Sequence, residues 1–197
     1  MIVQPTLLEN ALIVVGEGAW VLSAAAQLRR LARTGNTRGL SAPSQTLNAA
    51  GNVGWCTYFG INHLWFPFFT NILVLMLGIA ILGYILSNHK QFVRGLIAIA
   101  IIGPVTSYVL IHNPGAGGWL GMLYNWMAGT PQLMRIVRRK KVSGLSEKGL
   151  YLATIAMTFT LTYGLLIHSL PLVAGCIQGL TYMWVTMMFY YRHRHSD

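Results

Sequence analysis

Residues 131–146 read PQLMRIVRRKKVSGLS, and residues 26–41 read AQLRRLARTGNTRGLS, each position lying 105 residues before its counterpart. Between Gln27 and Ser41, seven of the fifteen positions are identical to their counterparts, and no gap is needed to align the two stretches. Self-similarity at a fixed spacing is the sequence signature of an internal repeat. We therefore predict that one structural unit occurs twice in this chain.

The composition indicates a membrane protein. Hydrophobic residues make up 54% of the chain and charged residues only 9%, with a mean hydropathy of +0.53, whereas soluble domains carry about 25% charged residues. So few charges cannot cover a water-exposed surface, so most of the exterior is expected to face lipid. Although the net charge is +10, this composition argues against nucleic-acid binding. The two cysteines lie in apolar segments and do not indicate a disulfide framework.

Seven segments are long and apolar enough to be predicted as membrane-spanning helices, since a span needs about 20 residues. They are residues 9–30, 43–62, 66–87, 93–112, 118–137, 148–167 and 170–191. The second segment fits least well because it begins with the polar run SAPSQTLNAAGN. The connections are short, so neighbouring helices are expected to be antiparallel.

The basic residues predict the orientation of these helices. All fourteen Lys and Arg residues follow the first, third, fifth or seventh segment. Because basic residues accumulate on the cytoplasmic side, we expect a multi-pass protein whose N-terminus is outside and whose C-terminus is cytoplasmic.

The repeat and the helix count together predict a 3+1+3 arrangement. Residues 1–88 form the first three-helix unit, residues 89–115 a linker helix, and residues 116–197 the second unit with a short basic tail. The linker helix restores the direction of the chain, so the two units are predicted to be parallel repeats. In transporters built from repeats, the substrate binds near mid-membrane between them.

Pro131-Gln132, followed by a basic run and Gly144-Leu145-Ser146, resembles the PQ-loop family. That family includes the SWEET sugar transporters, lysosomal amino-acid exporters and sorting receptors of the early secretory pathway. The resemblance implies the 3+1+3 bundle and alternating access with hinges at the motif prolines. The first copy departs from the pattern because Ala26 precedes Gln27 in place of a proline.

Two roles remain open for Pro131. A proline inside a helix removes one backbone hydrogen bond and bends the helix, which suits a hinge. Gln132 would then satisfy a freed backbone group that lipid cannot satisfy, and Gln27 is its counterpart in the first copy of the motif. Alternatively, Pro131 and Gln132 end the helix near the membrane surface.

Glu17 is the one ionisable residue well inside a predicted span. A buried carboxylate is costly, so the residue is expected to face the bundle interior and to bind a proton or a substrate group. If the first helix is offset outward, Glu17 lies instead in the hydrated interface and has no such role.

Several polar and aromatic side chains are candidates for a substrate site. By the resemblance to SWEET transporters, Trp55 and Asn71 match pocket-lining positions, with packing or an interfacial position as the alternative for Trp55. Further candidates on the same helix or in the second unit are Asn52, Tyr58, Thr158, Thr162 and Gln178. Thr158 and Thr162 form a hydroxyl stripe with Thr154, although such hydroxyls also bond their own helix carbonyls.

The sequence therefore predicts an all-α membrane carrier for a small polar solute, with a sugar favoured over an amino acid. A proton-coupled amino-acid transporter is one alternative. A non-transporting receptor or scaffold, which recruits a partner through the basic loop and the tail at residues 192–195, is another. No metal, cofactor or enzymatic site is indicated, and a homo-oligomer is left open.

Overall fold

The computed structural model describes residues 6–37, 40–87, 89–139 and 145–193, and it leaves out the side chains of 89–91, 131, 132, 135, 136 and 139. The described residues form seven α-helices, a short 3-10 helix at Pro114–Ala116 and no strand. The helices are α1 (Leu7–Thr34), α2 (Ala42–Ile61), α3 (Trp65–Leu86), α4 (His89–His112), α5 (Gly117–Arg139), α6 (Glu147–Leu166) and α7 (Leu170–His193). The all-helical fold and the seven predicted helices are confirmed.

Local chemistry explains where the helices begin. Thr6 and Glu9 form a reciprocal capping box at the start of α1, which satisfies two backbone donors. Pro43 occupies the first turn of α2, where it loses no helical hydrogen bond. The hydroxyl of Ser146 accepts a hydrogen bond from the Gly149 amide at 3.1 Å and so caps α6.

Five helices are apolar enough to cross a membrane by length and composition: α1, α3, α6, α7 and residues 92–112 of α4. Helices α2 and α5 fall short of this criterion, although both were predicted as spans. In α2 the reason is the series of amide side chains that begins at Gln45, and in α5 it is Asn125 together with the glycines and the Pro131-Gln132 pair. The chain is thus an integral membrane protein with several spanning helices.

Helix α5 continues through position 131 and ends at Arg139. The reading in which Pro131 ends the helix is therefore wrong, because eight further residues remain helical. The side chains of Pro131 and Gln132 lie outside the described residues, as do residues 140–144 and 194–197.

Each three-helix segment packs around its last helix. Helix α3 packs against α1 and α2, and α7 packs against α5 and α6. Between the segments, α1 packs against α6 and α2 against α5, while α4 packs against α2 and α3. Exchanging α1 with α5, α2 with α6 and α3 with α7 leaves the neighbours among these six helices unchanged.

The same exchange applies to individual contacts, at the constant offset of 105 residues. Helix α1 meets α6 where a Cβ on Gly16 would lie 3.3 Å from the Ala156 carbonyl oxygen. Helix α2 meets α5 where a Cβ on Gly51 would lie 3.2 Å from the Gly121 carbonyl oxygen. Gly121 and Ala156 are the counterparts of Gly16 and Gly51, so both interfaces are built on the same backbone positions.

Two apolar clusters close the bundle at opposite ends. The cluster at the basic end contains Leu31, Leu40, Ala42, Ile81, Leu82, Ile85 and Leu145. The cluster at the other end contains Ile13, Trp55, Phe59, Tyr163 and Leu172. Between these two clusters the helices enclose a cavity.

Candidate functional site

A cavity of about 300 Å³ lies between helices of both segments, and α1, α2, α3, α5, α6 and α7 all contribute to its lining. Its volume is at the lower end of the range of roughly 300–1,000 Å³ that is usual for small-molecule sites. Several lining positions come in pairs at the offset of 105 residues. On α2 and α6 these pairs are Gln45 and Leu150, Asn48 and Ala153, Asn52 and Met157, and Trp55 and Thr160.

Glu17 lines this cavity and is only 2% exposed. Its Oε2 atom accepts hydrogen bonds from the Thr70 hydroxyl at 2.9 Å and from the Asn71 amide at 3.0 Å. Both donors are neutral, and in the described part of the chain no basic side chain pairs with this carboxyl. Burial without a cation disfavours the charged carboxylate, so the site suits a group that takes up a proton or a cationic solute.

Asn71 connects Glu17 with the rest of the cavity lining. Its amide nitrogen donates one hydrogen to Glu17 and the other to the Pro67 carbonyl at 3.0 Å. Because both hydrogens are used within the protein, the side-chain carbonyl oxygen of Asn71 is the group left for a solute.

Trp55 provides a flat apolar surface next to these polar groups. Its ring stacks on Phe59 at a centroid distance of 5.9 Å, and the edge of Tyr58 packs against it at the same distance. Space for the indole exists because two facing residues lack side chains. A Cβ on Gly121 would lie 2.9 Å from the indole nitrogen, and one on Gly175 would lie 3.5 Å from Cζ2. Trp55 lines the cavity while being 6% exposed.

Three amides follow one face of α2 into the cavity: Gln45, Asn48 and Asn52. We call this set the amide wall. Asn125 of α5 and Gln178 of α7 add two further amides to the lining. Across residues 6–37, 40–87, 89–139 and 145–193, none of these five side chains has a hydrogen-bond partner, so each is available to a solute.

The corresponding positions of α6 are apolar, namely Leu150, Ala153 and Met157. We call this set the apolar wall. The next cavity-lining residue of α6 is Thr160, which is 4% exposed and whose hydroxyl has no partner among the described residues. Thr160 is thus the one threonine of α6 that lines the cavity.

Three candidates from the sequence lie elsewhere. Thr158 and Thr162 are exposed on the outside of α6, and their hydroxyls donate to the carbonyls of Thr154 and Thr158. The Tyr58 hydroxyl lies 2.7 Å from the Ser169 hydroxyl, outside the cavity lining. Thr158, Thr162 and Tyr58 therefore lie outside the cavity lining, whereas Thr160 belongs to it.

The cavity reaches toward the basic end, where hydrogen bonds join the two segments. The Gln27 side-chain oxygen accepts from the Ser146 amide at 3.0 Å, and the Ser23 hydroxyl donates to the Gly149 carbonyl at 2.8 Å. At the offset of 105 residues, the Ser44 hydroxyl donates to the Ala128 carbonyl at 2.6 Å. These contacts hold α1 to α6 and α2 to α5.

Several lining residues were not predicted from the sequence, among them Trp20, Gln45, Asn48, Asn125 and Thr160. The sequence signal for Gln45 and Asn48 was the polar start of α2. That polar start was interpreted as evidence against a membrane span, whereas in the structure these side chains line the cavity. Trp20 and Asn125 lie 105 residues apart, but both are outside the two stretches in which the sequence similarity is recognised. In the described residues no cluster of His, Cys, Asp and Glu is arranged to hold a metal ion.

Comparison with known families identifies part of the chain. The model of the PQ loop repeat matches residues 117–173, which cover α5, α6 and the first residues of α7. The resemblance to the PQ-loop family is confirmed by this match, which does not distinguish the SWEET-like subtype from the others. Among curated proteins and solved structures, no significant match was found.

Proposed function

We propose that this PQ-loop protein is a membrane carrier that moves a small polar solute by alternating access between two repeats, with a sugar favoured over an amino acid. The observation that carries this proposal is the cavity lined by both segments, in which five amides lack partners. Amides that donate and accept next to an indole ring suit a solute with several hydroxyl groups.

The proposed repeats are helices α1–α3 and α5–α7, with α4 as the linker of a 3+1+3 bundle. Support comes from the helix neighbours and the small-residue contacts that recur at the offset of 105 residues. It also comes from the turns that follow α2 and α6. In both turns a histidine has a positive φ, 57° at His63 and 54° at His168, and the surrounding backbone hydrogen bonds correspond one to one.

The contacts at the two ends of the cavity support alternating access. At the basic end Gln27 contacts Ser146, and at the other end Tyr58 contacts Ser169. Each contact joins a residue of one segment to a residue of the other. A carrier that opens to one side at a time would break one of these contacts and keep the other.

For the direction of the chain we propose an outside N-terminus and a cytoplasmic C-terminus, as the basic residues indicate. A cysteine placed at Asn113 should react with an impermeant maleimide in intact cells, and one at Lys140 only after permeabilisation. The reverse pattern would contradict the proposed orientation.

Counterflow in liposomes tests the carrier proposal. Purified protein should exchange a radiolabelled monosaccharide or amino acid across the bilayer with saturation, in the presence of the same unlabelled solute on the other side. Binding without flux would favour a receptor. That alternative relies on the basic loop and the tail at 192–195, of which residues 140–144, 194 and 195 lie outside the described residues.

A further inference from the structure

The two walls of the cavity differ in chemistry at equal depth. Asn52 and Met157, which are counterparts in the repeat, lie near the middle of α2 and α6. The amide wall of α2 presents unpaired donors and acceptors along about two helical turns, whereas the apolar wall of α6 presents hydrocarbon and a thioether over the same length.

The polar groups on this side of the cavity come from the neighbouring helices and not from the apolar wall. Helix α1, which packs against α6, contributes Ser23 and Gln27, of which Ser23 donates to Gly149 and Gln27 accepts from Ser146. Helix α7, which also packs against α6, contributes Gln178 and Tyr182. On the other side of the cavity, Asn125 of α5 adds to the amide wall. A Cβ on Gly51 would lie 2.6 Å from the Asn125 Oδ1 atom, so this amide lies directly against α2.

From this asymmetry we infer how polar and apolar groups are distributed on the solute. The inference rests on the carrier function proposed above. The structure assigns to this cavity a small solute whose hydrogen-bonding groups lie along one flank and whose opposite flank is apolar. A hydroxyl that faced Leu150, Ala153 and Met157 would lose its water partners and gain none from these three side chains, which should lower the affinity by roughly tenfold. The carrier therefore prefers a solute without that hydroxyl.

Two pairs of solutes, each differing by one hydroxyl, test this inference in counterflow assays. The pairs are D-glucose with 6-deoxy-D-glucose and L-serine with L-alanine. In the pair that the protein transports, the member without the hydroxyl should have the lower half-saturation concentration by about tenfold. Equal concentrations for both members, or a preference for the hydroxylated one, would overturn the inference while leaving the carrier function intact.

Substitutions in the two walls sharpen the test. Met157→Asn supplies a partner for the extra hydroxyl and should remove most of the preference. Asn52→Met makes the opposite change and should weaken both members of the pair. Thr181→Asn is the matched control, because Thr181 lies at the middle of α7, is exposed and is not part of the cavity lining. An unchanged preference in Met157→Asn would contradict the assignment of the apolar wall. If Met157→Asn does not fold, the test is Asn52→Met, and unchanged half-saturation concentrations for both members of the pair would contradict the assignment.

Fluorescence separates this inference from the carrier proposal. Trp20 and Trp55 both line the cavity, so a bound solute should alter the intrinsic tryptophan emission. A preference for alanine or the deoxy sugar in such titrations, without flux, would support the two walls and reject the carrier. Neither flux nor binding for all four solutes would overturn both.

Discussion

The first three helices and the last three have similar backbones but different side-chain chemistry. Their turns, helix neighbours and the small residues Gly16, Gly121, Gly51 and Ala156 at the interfaces correspond at a fixed offset of 105 residues. Their cavity-lining residues do not: Glu17 corresponds to Met122, Asn52 to Met157, Trp55 to Thr160 and Asn71 to Cys176. Backbone packing is thus similar in the two segments, while the polar residues of the candidate site are concentrated in the first segment.

This difference separates helix packing, for which similar segments suffice, from solute binding, for which the two segments need different side chains. In the carrier proposed above, two helix pairs that pack through the same positions would exchange roles when the bundle opens toward one side or the other. A solute, by contrast, has no two-fold symmetry and is bound best by unlike walls. Changes at paired positions should therefore affect stability similarly in both segments and affect transport differently.

The largest effect is expected at Glu17, which has no acidic counterpart. Glu17→Gln keeps the shape of the side chain and its contacts with Thr70 and Asn71 but cannot release a proton. We expect it to abolish acceleration of uptake by an imposed pH gradient and to leave counterflow without a gradient near the parent rate. Uptake into liposomes at two external pH values measures this.

The control for Glu17 is Glu9→Gln, at the exposed capping box of α1, which should keep the gradient effect. If the parent shows no response to a pH gradient, the carrier is a facilitator and Glu17 has a structural role. A full response in Glu17→Gln would mean that the proton uses another route.

The next largest effect is expected on stability, when the glycines at the helix interfaces are replaced. A Cβ on Gly54 would lie 2.8 Å from the Gly117 carbonyl and 2.9 Å from the Gly121 amide, both backbone atoms of α5. The closest atom to a Cβ on Gly16 is instead the Thr160 side-chain hydroxyl, at 2.8 Å. Gly54→Ala should cost about 1–3 kcal/mol, because a helix backbone must move, and Gly16→Ala should cost less.

Melting of the purified protein in detergent measures this difference. For Gly54→Ala we expect the midpoint to fall by roughly 5 °C. Gly83→Ala is the control, since a Cβ there meets no atom within 4 Å. A larger loss in Gly16→Ala than in Gly54→Ala would mean that the α1–α6 interface is the less adaptable of the two.

The sequence predicted those features of the fold that depend on local signals or on the spacing of a repeated motif. Helix number and most helix ends were predictable because apolar length and turn residues are local properties. The correspondence between the two segments was predicted because Gly39-Leu40-Ser41 and Gly144-Leu145-Ser146 recur at one spacing. Whether α2 spans the membrane was harder to predict, because Gln45 and Asn48 lower its hydropathy while facing a cavity rather than lipid.

The site was predictable only in part, because rotation of a helix about its axis is not a local property. The resemblance to SWEET transporters pointed to Trp55 and Asn71, and both line the cavity. The hydroxyl stripe of α6 could not be oriented from its spacing, and Thr160 rather than Thr158 lines the cavity. The hydrogen bond between Glu17 and Asn71 joins residues 54 positions apart on different helices and had no sequence signal.

Substrate contacts should come next in size. Trp55→Ala and Asn71→Ala should each reduce flux about tenfold, equivalent to about 1.4 kcal/mol, with insertion near normal. Thr160→Ala, at the counterpart of Trp55, should have a smaller effect because it removes one hydroxyl and no aromatic surface. Initial rates of counterflow measure these effects, with Trp65→Ala as a control at an exposed tryptophan outside the cavity. Parent-like flux in both Trp55→Ala and Asn71→Ala would reject this site.

The serine contacts between the segments should contribute less. Ser44 is fully buried and donates to Ala128, whereas Ser23 is partly buried and donates to Gly149. Removing one such hydrogen bond costs about 1 kcal/mol, so Ser44→Ala should lower the melting midpoint by about 2–4 °C and Ser23→Ala by somewhat less. Ser87→Ala, at an exposed helix end, is the control. Because the two serines lie in separate interfaces, the double variant should show additive losses, and strong coupling would contradict independent interfaces.

The smallest effect concerns the two histidines in left-handed backbone conformations after α2 and α6, with φ of 57° at His63 and 54° at His168. A side chain strains this conformation by about 1–2 kcal/mol, while glycine adopts it freely but loses about 0.5–1 kcal/mol through its greater freedom when unfolded. Replacement by glycine should therefore stabilise the fold slightly, by about 0.5 kcal/mol and 1–2 °C in the melting midpoint. His63 also packs against the Trp65 ring at a centroid distance of 5.8 Å, so His168→Gly should gain more than His63→Gly.

His168→Ala separates backbone strain from loss of the imidazole, because alanine removes the ring and keeps the Cβ. If His168→Ala stabilises as much as His168→Gly, the imidazole rather than the backbone is responsible.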